Sequence, residues 1–574
     1  MRERPGSVRT AFLLALAFIL TPFCALAGQT DPCPRPAQGS VITDPPDLYS
    51  HNGVLKVTLN YFTTVDKWGR TLFCYDTPQG LEAPTLHLEP GDTLDLTLAN
   101  RETGGPPPVF EQVAGSADVC GSLYMTPQSV NLHFHGMNVT PHCHGDDVVH
   151  TLVNPGESFH YQFKIPTDEP PGMYWYHHHV HGYSSKAVQG GASGAIEIEG
   201  IANMDHAVQG LPQRFLVVRD QPLQNPPQNG RTAPTAPFWD VSLNYVPAPY
   251  PKYRAGVIQM RPGAREFWRV VNAAADTNLD LQLLYDGKPQ TVEVVALDGV
   301  PVNTQDGTHQ GTTFTETDVY IPPAGRAEFI VKGPSTKVKY AVFMTNHIDT
   351  GPAGDIDTRR PLATIQLTHD LAKIPKPILP IARDIAGNRF ADVDDSMVTA
   401  HRDIYFAETT GTTGRSRPSG GGVFYVTVKG QDKVPYYPDE PPAITTTQGA
   451  VEDWTIENTT KEVHEFHIHQ IHFQLLAVNG VFVPKEKRQW YDTYQVPYWT
   501  GSGPYPSIEV RMDFRGAVAG EFVYHCHILD HEDAGMMANI LVLPRGGGAK
   551  RAQARPPATA KPIKLGARST PQHV

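Results

Sequence analysis

Three stretches of this chain share one pattern at domain-sized intervals. EPGDTLDLTLANRE, RPGAREFWRVVNAA and TQGAVEDWTIENTT each set a glycine in a turn, continue into an alternating strand, and end on an asparagine nine residues after the glycine. The pairs are Gly91 and Asn100, Gly263 and Asn272, and Gly449 and Asn458, so the copies lie 172 and 186 residues apart. A repeat at that period makes the chain build the same unit three times. The length of 574 residues suits it, at roughly 150 residues per domain. Short runs such as FLVVRD, VEVVAL, AEFIVKG and ANILVLP are rich in β-branched and aromatic residues and are separated by Gly, Pro, Asn and Asp. No long stretch keeps a helical period. The expected architecture is all-β, with three sandwich or barrel units over residues 28–205, 206–375 and 376–544.

The two ends read differently. Arg2, Arg4 and Arg9 precede the apolar run AFLLALAFIL, and Ala25 to Ala27 offer small residues before Gly28, so residues 1–27 are expected to be a signal peptide. The leader has no twin-arginine pair, and no other apolar run is long enough for a membrane span, so the mature protein is expected in the periplasm or outside the cell with no stable membrane insertion. Residues 545–574 hold few apolar side chains and are expected to be a disordered basic tail. The chain carries a formal charge of −12, and with the leader's net +2 and the tail's seven cations set aside the remainder carries −21. Such an acidic body argues against a nucleic-acid partner.

Histidines gather in four segments: NLHFHG, YWYHHHVH, VHEFHIHQIH and HCHILDH. Each contains a His-x-His pair, at 133/135, 177/179, 467/469 and 525/527. In a strand, residues two apart share a face. A straight strand offers both imidazoles to one site, and a twist divides them between neighbouring ions. Imidazole suits copper, zinc, iron and nickel. Zinc saturates at four ligands, so eight histidines point to a centre of several ions. The aromatic residues around the pairs belong to packed strands that fix ligand geometry.

Six cysteines are present. Cys24 lies in the leader; Cys33, Cys74, Cys120 and Cys143 permit disulfides in three alternative pairings. Cys526 stands alone in FVYHCHILDHEDAGMM, with His531 five and Met536 ten residues later. A thiolate, two imidazoles and a weak axial methionine form a blue-copper electron-transfer site, with His464 as the second imidazole. Because Cys526 also sits between His525 and His527, an electron reaching it has one residue of backbone to cross to the other metals.

HFHG, HHH, HEFHIH and HCHILDHEDAGM occur in the order of the four motifs of the multicopper oxidases, and the chain resembles the three-domain group that includes laccases, bilirubin oxidases and bacterial copper-efflux oxidases. The resemblance covers residues 40 to 544. It implies three cupredoxin-like Greek-key domains, of which the middle one holds no copper, and four copper ions. Type 1 copper would be held by His464, Cys526, His531 and Met536. Type 2 copper would take His133 and His467. The type 3 pair would take His135, His177, His179, His469, His525 and His527. Glu532 matches the family's relay glutamate, and either Asp146 or Asp147 matches the acid after the first motif. His142, Cys143 and His144 imitate the cysteine motif, but Val148 and Val153 occupy the five- and ten-residue positions, which leaves Cys143 a disulfide partner. His178, His181 and His472 have no ligand slot, and the NVT and NTT sequences at Asn138 and Asn458 are discounted as glycosylation acceptors.

The expected activity is a laccase-like oxidation of phenols or aromatic amines coupled to reduction of O2 to water, by a monomer. The alternatives are a cuprous oxidase serving copper tolerance, although the eleven methionines form no cluster, and a non-enzymatic copper-binding coat protein.

Overall fold

The repeated strands occupy one structural position three times over. Thr93–Asn100 runs parallel to Val54–Val65 on one side and antiparallel to Ser158–Lys164 on the other. Arg265–Asn272 lies in the same way between Gln213–Pro222 and Arg326–Lys332. Val451–Asn458 lies between Val398–Thr409 and Ser507–Asp513. The structure is a computed structural model describing residues 33–112, 120–224, 236–302, 313–385, 389–409, 422–516 and 518–546. The proposed leader and, beyond residue 546, the basic tail fall outside them.

Around each repeated strand a two-sheet sandwich forms. Strands from Asp47 to Ile198 make a four-stranded and a five-stranded sheet. Strands from Gln213 to Leu367 make an eight-stranded and a six-stranded sheet, and those from Val398 to Leu543 a seven-stranded and a five-stranded sheet. Alternation explains the first core: Leu94, Leu96 and Leu98 point inward from one strand and meet Leu86 and Ile196 of the facing sheet. Trp268 and Trp454 fill the matching place in the second and third cores.

The physical reason for the repeat is a hydrogen-bonded corner. Gly91, Gly263 and Gly449 turn with φ of +89°, +65° and +96°, the left-handed region where a Cβ is unfavourable. Each asparagine is buried and closes the far end of its strand with three bonds. Its Nδ2 donates to two carbonyls: Gln128 and Val153 for Asn100, Thr277 and Ile321 for Asn272, Glu462 and Val496 for Asn458. Its Oδ1 accepts from the backbone N–H two residues on, at Glu102, Ala274 and Thr460. Asn458 is thereby committed to structure, and the buried Asn138 donates to the Gln470 carbonyl, so neither side chain stands free for a glycan.

Charge locks the first two sandwiches together. Arg269, fully buried, lies between Glu197 of the first unit and Glu328 of its own, 2.8 Å from the latter. Two disulfides resolve the pairing left open by the sequence, Cys33–Cys74 and Cys120–Cys143, and Cys526 is free and buried. Among the described residues no helix is long and apolar enough to cross a membrane.

Replacing Asn272 by Ala leaves two buried carbonyls and one N–H without partners, at a cost of about 2–3 kcal/mol. Three-unit chains do not unfold in two states, so the readout is calorimetric: the transition of the second sandwich should fall while the others stay.

Candidate metal centre

Two strand pairs, one from the first sandwich and one from the third, carry most of the histidines. His133–His135 pairs antiparallel with Gly172–His177 and sets His177 opposite His133. His464–Ile468 pairs with Gly520–Cys526, setting His467 opposite His525 and Phe466 opposite Cys526. Only His133 and His135 lie within one strand, the other three pairs running past a strand's last residue, and ring centroids within the four His-x-His pairs lie 5.2, 5.6, 5.1 and 5.4 Å apart. The two sandwiches then meet ring to ring. His133 stacks on His469 at 3.7 Å and His135 on His467 at 4.0 Å. The Nε2 of His525 lies 3.4 Å from that of His179 and 3.2 Å from that of His469.

The nitrogens of these rings divide into tied and free. His133 Nδ1 bonds Asp146, His135 Nε2 bonds Asp492, and His467 Nδ1 bonds the Asp492 carbonyl. His177 and His525 donate through Nδ1 to the carbonyls of the next residues, His178 and Cys526. The opposite nitrogens of His133, His135, His177 and His467 find no partner, nor does either nitrogen of His527. Unpaired polar atoms so deeply buried are costly unless something binds them. Burial, reinforced by the neighbouring imidazoles, holds every ring far below the ordinary histidine range, with His177 near 3 and His467 near 4. The rings are therefore neutral and present lone pairs, as metal ligation requires. Three sets have ligand atoms mutually within 4.8 Å: His133, His135 and His177; His133, His467 and His469; His179, His469 and His525.

A fourth set lies in the third sandwich. Cys526 Sγ is 3.6 Å from His464 Nδ1 and 3.8 Å from His531 Nδ1, and those nitrogens are 3.1 Å from each other. Their other nitrogens face Thr460 Oγ1, at 2.9 Å, and Glu462, at 3.5 Å. Met536 is buried in the core cluster that includes Cys526, and its carbonyl accepts from the Cys526 N–H. Phe424 stacks on His531. The Glu465 N–H points at the sulfur, 3.4 Å away. Burial pushes the thiol up, so it gives up its proton on binding a metal. One thiol, two imidazoles and a methionine fit copper.

The carboxylates separate. Asp146 touches His133, the Phe134 N–H and Gln470, whereas Asp147 turns back to cap the N–H and ring of His150. Glu532 is buried 3.2 Å from His525 Nδ1 and 3.8 Å from His179 Nδ1. Burial, with Asp533 beside it, raises Glu532 well above the usual carboxylate range. His178, His181 and His472 stay outside these sets: His178 reaches the Ser129 carbonyl, His472 the Asp298 carbonyl, and His181 packs on Tyr436.

Sequence reasoning missed Asp492, Gln470 and Arg326. Asp492 lies in QWYDTYQ as a lone acid among aromatic residues, a signal of a buried and paired carboxylate that could have drawn notice. Arg326 comes from the second sandwich, which adds no imidazole or thiol to the four sets.

Three models of the family described as multicopper oxidase match residues 122–202, 173–367 and 414–546. A multicopper oxidase, mco, of Staphylococcus aureus is 20% identical over 480 residues, 80% of this chain and 82% of that protein. The mco protein of Staphylococcus haemolyticus is 36% identical over 95 residues, 16% of this chain, and the chain spans a fifth of that relative's length. Among solved structures, the McoA multicopper oxidase of the hyperthermophile Aquifex aeolicus superposes with a TM-score of 0.62 at 18% identity, covering 88% of this chain and 99% of that one. A multicopper oxidase of Campylobacter jejuni described as a metallo-oxidase gives 0.61 at 22%, covering 89% and 96%. With its buried unpaired imidazoles and its thiol set, this chain belongs to the multicopper oxidase family, and copper is the metal its sites are built to hold.

Proposed function

We propose that this protein is an exported, monomeric, laccase-like oxidase, which takes single electrons from phenols or aromatic amines and passes them to O2. Residues 1–27 are its leader, 28–205, 206–375 and 376–544 its three domains, and 545–574 its tail. The observation that carries the reading is the meeting of eight buried imidazoles from two sandwiches, joined by peptide bonds through His525 and His527 to the one free thiol among the described residues. His464, Cys526, His531 and Met536 would hold type 1 copper. His133 and His467 would hold type 2, and His135, His177, His179, His469, His525 and His527 the type 3 pair. When bound, these four coppers supply the one-electron redox chemistry and the reduction of dioxygen to water.

The chain's own groups do the rest. The Glu465 N–H bonded to Cys526 Sγ orients the sulfur and steadies its negative charge. The Glu465 carbonyl accepts from the His527 N–H, so the backbone of one residue braces both sites. Dioxygen reduction consumes four protons. Glu532, kept protonated by burial and by Asp533, stores one beside His179 and His525. Asp146, raised by its own burial, holds His133 through Nδ1 and leaves Nε2 for the metal. It is the acid we assign over Asp147.

One observation favours a second reading, oxidation of cuprous ion. Glu462 lies beside His531, and its carboxyl is pushed well up by burial and by Glu408 next to it. Two carboxyls at that edge suit a cation, and the Campylobacter jejuni relative is described as a metallo-oxidase.

Copper-loaded protein should absorb strongly in the red and consume O2 when given a phenol. Cys526→Ser should abolish both, and uptake that survived would end the proposal. Glu532→Gln should slow O2 uptake by about 100-fold or more while a donor still bleaches the red absorption at the wild-type rate. In a donor panel, Glu462→Gln should lower kcat/KM for cuprous ion about tenfold if a cation is the natural donor, a loss of ~1.4 kcal/mol, and should leave a neutral phenol unaffected.

A further inference from the structure

The second sandwich adds no side chain to the four sets among the described residues, yet its Arg326 reaches the metal centre. Arg326 opens the strand Arg326–Lys332, the antiparallel neighbour of the repeated strand. It is fully buried and grips Asp492 of the third sandwich with both terminal nitrogens, Nη1 donating to Oδ1 at 2.8 Å and Nη2 to Oδ2. Its Nε donates to the Met173 carbonyl of the first sandwich, at 3.2 Å. One guanidinium thus touches all three units.

The grip is seated from below. Asp298, also of the second sandwich, accepts the Arg326 N–H at Oδ1 and the N–H groups of Asp492 and Thr493 at Oδ2. Its carbonyl accepts from Arg326 Nη2 and bonds His472. Asp492 in turn meets His135 Nε2 at 3.1 Å through Oδ1. That bond makes Nε2 the protonated nitrogen and leaves Nδ1, which has no partner, as the lone pair facing the centre. The Asp492 carbonyl and Thr493 Oγ1 hold His467 Nδ1 at 2.8 and 3.2 Å. The stacked rings of His135 and His467, one from each ligand-bearing sandwich, therefore take their orientation from one clamped residue.

An independent feature marks the same spot. Gly136, the glycine of HFHG, turns with φ of +85°. A Cβ there would lie 2.5 Å from Arg326 Nη2 and 2.6 Å from Asp492 Oδ2. The motif's glycine is the space into which the ion pair fits.

We infer that Arg326 is a positioning residue for the three-copper cluster: through Asp492 it fixes the ring nitrogen that His135 presents and the placement of His467. The inference rests on the ligand assignment proposed above. A bidentate arginine suits this task because its planar fork holds a carboxylate in one orientation, which a lysine does not.

The test is Arg326→Gln in the full copper-loaded chain, followed by copper content, red absorption, and the electron paramagnetic resonance signal of the non-blue Cu(II). The red absorption should persist. The non-blue signal should shift or vanish, with copper lost from the histidine cluster at about 10- to 100-fold lower chelator concentration. Arg326→Lys should fall between. Arg269→Met, which also breaks a buried link between the first two sandwiches but touches no histidine, should melt earlier and keep the wild-type signal. Wild-type copper content and signal in Arg326→Gln would overturn the inference, as would loss of the red absorption together with the rest. If Arg326→Gln does not fold, the near-isosteric Asp492→Asn must show the same selective loss, and a wild-type signal there overturns it equally. Absence of red absorption in the wild-type protein would instead defeat the ligand assignment itself.

Discussion

The constraint on which this structure depends is the burial of eight neutral imidazoles with lone pairs turned toward one another. Among the described residues the inward nitrogens of His133, His135, His177 and His467 and both nitrogens of His527 find no partner, those of His179, His469 and His525 meet only one another, and burial with the surrounding charges keeps the rings neutral. An interface of that kind is unfavourable as protein alone and favourable once a metal fills it. The sandwiches around it therefore serve as a frame. The first and third bring strand edges face to face, and ring stacking between His133 and His469 and between His135 and His467 sets the approach.

The frame is electrostatic where it is not apolar. Arg269 between Glu197 and Glu328, and Arg326 on Asp492, are buried charges at the seams between units. Buried pairs of this type add little net stability but penalise misalignment, since a displaced partner leaves an uncompensated charge. The seams are thus specific rather than adhesive, which suits a site whose histidines come from separate sandwiches.

What could be read from sequence follows from how locally each feature is encoded. The gathering of these histidines and of the thiol was legible because copper chemistry demands fixed residue types at fixed spacings. The sandwiches were legible through a corner that needs a glycine at one end and an asparagine at the other. The choice between Asp146 and Asp147 was not, because a tight turn in which the Asp146 N–H reaches the Thr140 carbonyl decides which one faces inward. Asp492 and Arg326 were harder still: they are 166 residues apart in sequence, and neither belongs to a motif. The cysteine pairing likewise rests on which loops meet in space.

Cys526 and both of its neighbours lie on one continuous backbone, whereas the cluster beyond them straddles a seam. In the proposed reading the conducting link is therefore covalent and the oxygen-reducing cage is not. Loosening between the first and third units would open the cage while leaving the wire and the sulfur site whole. On that reading, damage to this protein passes through a form that still accepts electrons but has nowhere to deliver them, a coloured yet idle molecule, well before the third sandwich itself unfolds.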